Sequence, residues 1–328
     1  DPAQITVWGD LAEIDNLTHR NRDALWQYWA GVVRQGVELG FQGFRCDAAY
    51  KVPAALWRYL IEQAKSVDPN VVFFAETLGA PVEDVAQLAG AGFDYFFNSS
   101  KWWNFSEPWA LDQHEAFRTV APSVAFPESH DTPRLAQETN GDEAVQRQRY
   151  AFAAAFSAGV MMPIGYEFGF RTQVDVVKTM PTDWERRWMD LRGFIARVNA
   201  LKKTHPVLHG EGVLRAPRGI YEDTLVLERR ASDAPAAAKG WILVNKVWAE
   251  PREVRLADIA PEAMAHGYRL FRVCRDGAPQ TGEPVRETVS LSRAEVAYVL
   301  PELTASTAGP ASPAPPAAPA SPPPVLDE

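Results

Sequence analysis

Two cysteines, Cys46 and Cys274, are all that 328 residues contain. They lie far apart in unlike contexts, which argues against a disulfide framework and still more against a metal site built on thiolates. Two reduced thiols in a cytoplasmic protein is the reading that compartment logic favours. No apolar run is long enough to span a bilayer. Basic charge is also scarce: 33 Lys and Arg face 42 Asp and Glu, a net charge of −9. Nucleic acid and anionic membranes both demand a basic face, so neither is expected as a partner. No signal peptide is read at the start, which says little because the chain opens Asp-Pro-Ala-Gln without an initiator Met.

What is present is the composition of a soluble globular enzyme, with 46% hydrophobic and 23% charged residues. Three stretches differ in character. Residues 304–328 are rich in Pro, Ala and Ser with almost nothing to bury, and are expected to be disordered or polyproline-like. Residues 206–303 carry short runs such as TLVLERR, GWILVNKVW and AEVAYVL, separated by Gly, Pro and Asp. They predict a small antiparallel, sandwich-like β-domain, with SDAPAAAKG as a hairpin loop. Residues 1–205 alternate short β runs with amphipathic helices, ending in a long helix over WERRWMDLRGFIARVNALKK. Tight strand–helix alternation predicts a parallel sheet. Five strand–helix units are present. That count fits either a five-stranded doubly wound sheet or a (β/α)₈ barrel without its first three units.

Three acidic residues stand just beyond β runs: Asp47 in GFRCDAA, Glu76 in VVFFAE and Asp131 in SVAFPESHD. All strand C-termini of a parallel α/β sheet emerge on one face, so the three carboxylates are expected to converge there. Taken singly, each could instead cap a helix or solvate a loop. Arg45 lies two residues before Asp47, so its guanidinium is expected on the same side and favours the ionised carboxylate. Glu76 emerges from an apolar run that tends to raise its pKa. One ionised and one protonated carboxyl is the pairing that glycoside hydrolysis uses. His130 is a candidate donor to sugar hydroxyls, or a structural histidine. Trp102 and Trp103 in KWWNFSEPW are candidate stacking platforms for sugar rings, or core cover. Asn98 could reach a hydroxyl or cap its turn. Lys51 and Arg134 could meet a phosphate or be solvated surface charges. No oxygen cluster resembles an EF-hand, and no metal ligands are assigned.

The segments GFRCDAAYKVP, FFAETLG and FPESHDTPR resemble three consecutive signatures of the α-amylase superfamily, glycoside hydrolase family 13, in the right order. GVMMPIGYEFGF resembles that family's segment around strand eight. Ser129 stands where the family usually has Asn, and Tyr50-Lys51 where it often has Lys-His. The resemblance implies a (β/α)₈ TIM barrel of which about strands 3/4 to 8 are present, followed by the family's antiparallel β-domain. It implies a retaining mechanism on α-glucosidic bonds through a covalent glycosyl intermediate. Asp47 would be the nucleophile, Glu76 the general acid/base and Asp131 the third carboxylate. Arg45 and His130 would support them. Calcium is common in the family; the resemblance makes no cofactor certain and leaves calcium a candidate.

The function expected is therefore an α-glucan- or maltooligosaccharide-active glycoside hydrolase. The alternative is a transglycosylase, such as a maltosyltransferase using maltose 1-phosphate. An alternative of another class is a non-catalytic amylase-like protein or inactive fragment. The N-terminal part of the barrel is expected as the missing partner, because an unclosed barrel leaves two sheet edges exposed. The 328 residues alone are accordingly expected to be inactive on α-glucan, poorly soluble, or both.

Overall fold

The computed structural model describes residues 12, 14–231, 239–264 and 267–303. The Pro/Ala-rich tail and residues 232–238 of the expected hairpin loop lie outside the described residues.

Five short strands form one parallel sheet: β1 (Gly43–Cys46), β2 (Val72–Glu76), β3 (Tyr95–Phe97), β4 (Ser123–Ala125) and β5 (Gly159–Val160). Their order in the sheet is their order in the chain, and every pairing is parallel. A doubly wound sheet reverses strand order at a switch point, whereas a barrel wall adds each strand beside the last. The sequential order therefore selects the barrel segment of the two arrangements that the unit count allows. Strands β4 and β5 approach so closely that a Cβ on Gly159 would meet Val124 Cγ2 at 2.7 Å, which explains a glycine there.

Helices cover the outer face. They are α1 (Arg22–Glu38), α2 (Ala54–Lys65), α3 (Val82–Ala86), α4 (Trp109–Phe117), α5 (Leu135–Glu138), α6 (Glu143–Phe156), α7 (Arg192–Thr204) and α8 (Pro206–His209). In α2, Leu56, Leu60, Ile61 and Ala64 recur at helical spacing and are all buried. Phe73 and Ala75 of β2 point to this helical side and are buried, while the alternate residues Phe74 and Glu76 face the opposite side and are half-buried. That second face carries Phe74 stacked on Tyr95, with ring centroids 5.1 Å apart.

The remaining strands are antiparallel: β6 (Gly212–Arg215), β7 (Thr224–Ala231), β8 (Lys239–Asn245), β9 (Arg252–Arg255), β10 (Tyr268–Phe271), β11 (Glu283–Pro284), β12 (Thr288–Leu291) and β13 (Val296–Pro301). Six form a sheet in the order β11-β10-β13-β8-β7-β6, and β12 pairs with β9. Helix α6 is the hinge pin between the two sheets. Its run YAFAAAF is buried on all sides, the alanines letting both sheets approach. Phe152 and Phe156 pack in one continuous core with Leu225, Ile242, Val296 and Tyr298. Buried hydrogen bonds complete the seam, from Tyr298 Oη to Ala151 O (2.6 Å) and from Gln148 Nε2 to Asn245 O (2.6 Å).

The long helix expected from Trp184 begins only at Arg192. The backbone amides before it are committed elsewhere. Trp188 N and Met189 N both donate to Phe168 O, and Leu191 N donates to Glu167 O at 2.8 Å. Glu185 uses its carboxylate to accept from Arg171 N and Thr172 N. Tertiary partners thus hold the segment as a loop over the end of β5, against its helical periodicity.

Candidate active site

Asp47 follows the last residue of β1, Glu76 ends β2, and Asp131 lies in the loop after β4. The parallel sheet brings all three to its C-terminal edge, and short contacts join them. Arg45 lies 2.5 Å from Asp47 (Nη1 to Oδ1) and 3.7 Å from Asp131 (Nη2 to Oδ2). One guanidinium thus spans two of the carboxylates. His130 Nε2 lies 3.1 Å from the same Asp131 oxygen. Glu76 is tied to the nucleus of the site through backbone, accepting from Ala48 N at 3.1 Å and from Leu78 N at 2.6 Å.

Ala48 is left-handed, with φ at +38°, a conformation that a residue with a Cβ adopts at some cost. It stands between Asp47 and the short helical turn Ala49–Lys51. Its amide is the link between the β1 loop and Glu76.

The electrostatics of the three differ. The Asp47 side chain is 76% exposed and that of Asp131 54%, so both carboxylates stand in water. Glu76 is half-buried. Burial raises its pKa above the usual carboxylate value, and neighbouring Asp47 adds to the rise; the Leu78 and Ala48 amides and Arg45 oppose it without cancelling it. Cys46, buried beside Arg45, has its thiol pushed up to about 12 by burial. Cys46 and Cys274 are both free.

The other sequence-derived residues divide sharply. Trp102 is 50% exposed and lies against the loop that follows Glu76: a Cβ on Gly79 would come 3.3 Å from its ring. Trp103 offers no face to a ligand. It is fully buried against Phe105, Phe152 and Phe156, with its indole N–H donating to Glu107 O, so the core reading of that residue replaces the platform reading. Asn98 is buried and its polar atoms are committed to protein: Nδ2 donates to Ser157 Oγ, and Oδ1 accepts from the Ser100 amide and hydroxyl. It closes a turn. Lys51 is exposed, its ammonium 5.3 Å from the Tyr50 ring centroid. Among the described residues, no hydrogen bond or ion pair joins Lys51, Asn98 or Trp103 to the three carboxylates.

Arg134 is neither a phosphate ligand nor a surface charge. Its side chain is 2% exposed and pairs with buried Glu128, Nη1 to Oε1 at 2.7 Å. Sequence reasoning passed over Glu128. The only signal was two opposite charges flanking SHDTP, and sequence carries no mark of their burial. Among the described residues, no group of three or more His, Cys, Asp and Glu is arranged to hold a metal ion.

No family model matches the chain. Known proteins do. An α-1,4-glucan:maltose-1-phosphate maltosyltransferase of Burkholderia pseudomallei is 31% identical over 244 residues, covering 71% of this chain and 21% of the relative. The protein of the same description from Myxococcus xanthus is 29% identical over 225 residues, covering 65% of this chain and 33% of the relative. The chain thus spans about a fifth to a third of the length of these relatives. Among solved structures, an α-amylase of Geobacillus thermoleovorans in complex with acarbose superimposes with a TM-score of 0.63 at 19% identity, over 87% of this chain and 66% of that one. That likeness shows the fold: a parallel sheet with an antiparallel domain behind it, matching a partial TIM barrel of the α-amylases. By sequence and by fold, the relatives of this chain are proteins of the α-amylase family.

Proposed function

We propose that the carboxylates at the sheet edge carry out retaining glycosyl transfer on α-glucosidic substrates, with a maltosyl unit moved from maltose 1-phosphate to an α-glucan. The observation that carries this reading is the cluster itself, in which Arg45 reaches both Asp47 and Asp131 while Glu76 hangs from the Ala48 amide. The choice of donor and acceptor rests on the relatives, described as maltose-1-phosphate maltosyltransferases.

In this reading Asp47, held by Arg45, attacks the anomeric carbon and the bond to the phosphate oxygen breaks. Glu76, whose burial favours the protonated form, gives its proton to the leaving oxygen. Glu76 then takes the proton of an acceptor hydroxyl, whose oxygen attacks the same carbon and frees Asp47. Two successive inversions give net retention. Asp131, with Arg45 and His130, holds sugar hydroxyls, and Trp102 offers a half-exposed ring against the loop that follows Glu76. Lys51, exposed four residues after Asp47, is a candidate for the phosphate.

A second reading, hydrolysis, is supported by the structural likeness to an α-amylase. The two differ in the donor and in whether water or a sugar hydroxyl intercepts the glycosyl intermediate. Product analysis separates them. Strands β1 and β5 are the outer strands of the sheet. The chain is therefore assayed alone and fused behind the preceding barrel strands of a maltosyltransferase relative. With maltose 1-phosphate and maltooligosaccharide, transfer predicts chains longer by two glucose units and stoichiometric phosphate. Shortened oligosaccharides with no need of a phosphorylated donor would establish hydrolysis instead. No glycosyl turnover in a folded fusion would sink both readings.

A further inference from the structure

The loop that carries His130 and Asp131 is short, polar and half-exposed, yet its two legs are fixed by a buried ion pair. Glu128 is its first leg and Arg134 its last, and both side chains are almost wholly shielded from water. Glu128 accepts from Arg134 Nη1 at 2.7 Å with one oxygen and from Leu135 N at 2.6 Å with the other. Between the legs, Ser129 N donates to Thr132 Oγ1 and Asp131 N donates to Ser129 Oγ. These bonds shape a tight turn but do not tie it to the rest of the molecule.

Arg134 does. Its Nε donates to Thr172 O at 3.0 Å and its Nη2 to Ile164 O at 2.8 Å, both in the loop after β5. From that same loop, Gln173 Nε2 reaches back to His130 O at 2.9 Å. One planar guanidinium therefore satisfies a carboxylate of the Asp131 loop and two carbonyls of the next loop along the barrel wall. A lysine ammonium, a point charge with three donors, cannot reproduce that planar fork. Removing one partner would also leave the other charge buried and unpaired.

We infer that Arg134 is a positioning residue for the His130–Asp131 turn, locking it in register with the loop 164–173 so that Asp131 stays within reach of Arg45 and His130. The catalytic consequence rests on the glycosyl-transfer reading of Asp131; the coupling of the two loops does not.

Amide hydrogen exchange on the chain tests the coupling without any substrate. In Arg134→Lys, peptides spanning 129–132 and 164–173 should both exchange at least tenfold faster, while β2 and β3 keep their protection. Faster exchange confined to 129–138, or spread evenly over the sheet, would overturn the inference, since the residue would then act locally or merely support the fold. Glu128→Gln keeps the shape and removes the charge. It should produce the same two-loop pattern with a smaller rise, and it decides the matter if Arg134→Lys does not fold. Where the parent protein turns over substrate, Arg134→Lys should lower kcat with little change in KM. Combined with Asp131→Asn, it should then cost no more than Asp131→Asn alone; additive losses would contradict a role exerted through Asp131. A parent protein without glycosyl turnover would fail the transfer reading, and the exchange pattern would still judge Arg134.

Discussion

Glu76 and Glu211 stand at opposite ends of the same five-stranded sheet and are pushed in opposite directions. Glu76 closes β2 at the C-terminal edge, and its burial outweighs two amide donors and a more distant Arg45, so its pKa is raised. Glu211 is still more deeply buried, and burial likewise opposes its ionisation. There His114, Arg229 and Ser123 outweigh burial and hold its pKa below the usual value. Its oxygens accept from Ser123 N, Ser123 Oγ and Ala158 N, at the first residue of β4 and just before β5. At the N-terminal end the buried carboxylate is matched by donors and cations, which stabilises the fold. At the C-terminal end one carboxyl is left under-solvated beside two wet ones, which suits proton transfer. Separation of stability and chemistry between the two ends of a barrel sheet is the general pattern of this architecture.

Two buried basic side chains also lie at the N-terminal end, and burial pulls both down, Arg229 to about 10 and Lys202 to about 7. Arg229 donates to Phe156 O and Val207 O, both at 2.8 Å, and also to Gly210 O. Lys202 donates to Ala154 O, Ser157 O and Leu208 O, at 2.7–2.8 Å. Together they stitch the end of α6 to α8 and β7. At the C-terminal edge, by comparison, Asp47 has one strong partner and three-quarters of its side chain in water.

Substitutions at the two ends should therefore separate turnover from stability. The largest effect is expected for Asp47→Asn: a loss of turnover of about a thousandfold or more, as for removal of a covalent nucleophile, with the urea midpoint unmoved. Turnover within about tenfold of the parent protein would remove Asp47 from that role. Next comes Arg229→Met at the other end, which strands three carbonyls and leaves Glu211 with less positive charge. It should cost roughly 3–5 kcal/mol in urea unfolding, as for breaking a buried charged network, while turnover per folded molecule stays the same. A selective loss of turnover instead would break the division between the ends.

A smaller effect should appear with pH. Burial, helped by His209, pulls the His205 imidazole down to about 4. Between pH 4 and the ordinary value of 6.5 the unfolded chain binds a proton that the folded chain refuses. The stability linked to His205 is thus fully present above pH 6.5 and is lost as the pH falls toward 4. The difference in unfolding free energy between the parent protein and His205→Asn should shrink by up to about 3 kcal/mol over that range. A difference that stays flat would show that His205 is not held neutral by its site beside Phe271.

The positions of Asp47, Glu76 and Asp131 at strand ends were legible in the sequence, as was a parallel sheet followed by antiparallel strands, because alternation and turn chemistry are local. What escaped depended on partners remote in the chain. Trp103 and Trp102 are adjacent and alike in sequence, yet only the packing of α6 decides that one is core and the other half-exposed. Arg134 reads as surface charge until Thr172 and Ile164 are brought to it. The helix expected from Trp184 has helical periodicity, but its amides find Phe168 and Glu167 first. The left-handed Ala48 has no residue-type signal, since nothing in an alanine announces a positive φ.

The proposed glycosyl transfer passes through a covalent bond to Asp47, with Glu76 as its acid/base partner. Trapping tests it most directly. A Glu76→Gln variant given α-maltosyl fluoride needs no proton for the first step, because fluoride leaves unaided, and it lacks the base for the second. Mass spectrometry should then find one maltosyl group on the peptide containing Asp47, and none after Asp47→Asn is added. Consumption of the fluoride by folded protein with that peptide unmodified, or with the label on another residue, would rule out Asp47 as the nucleophile.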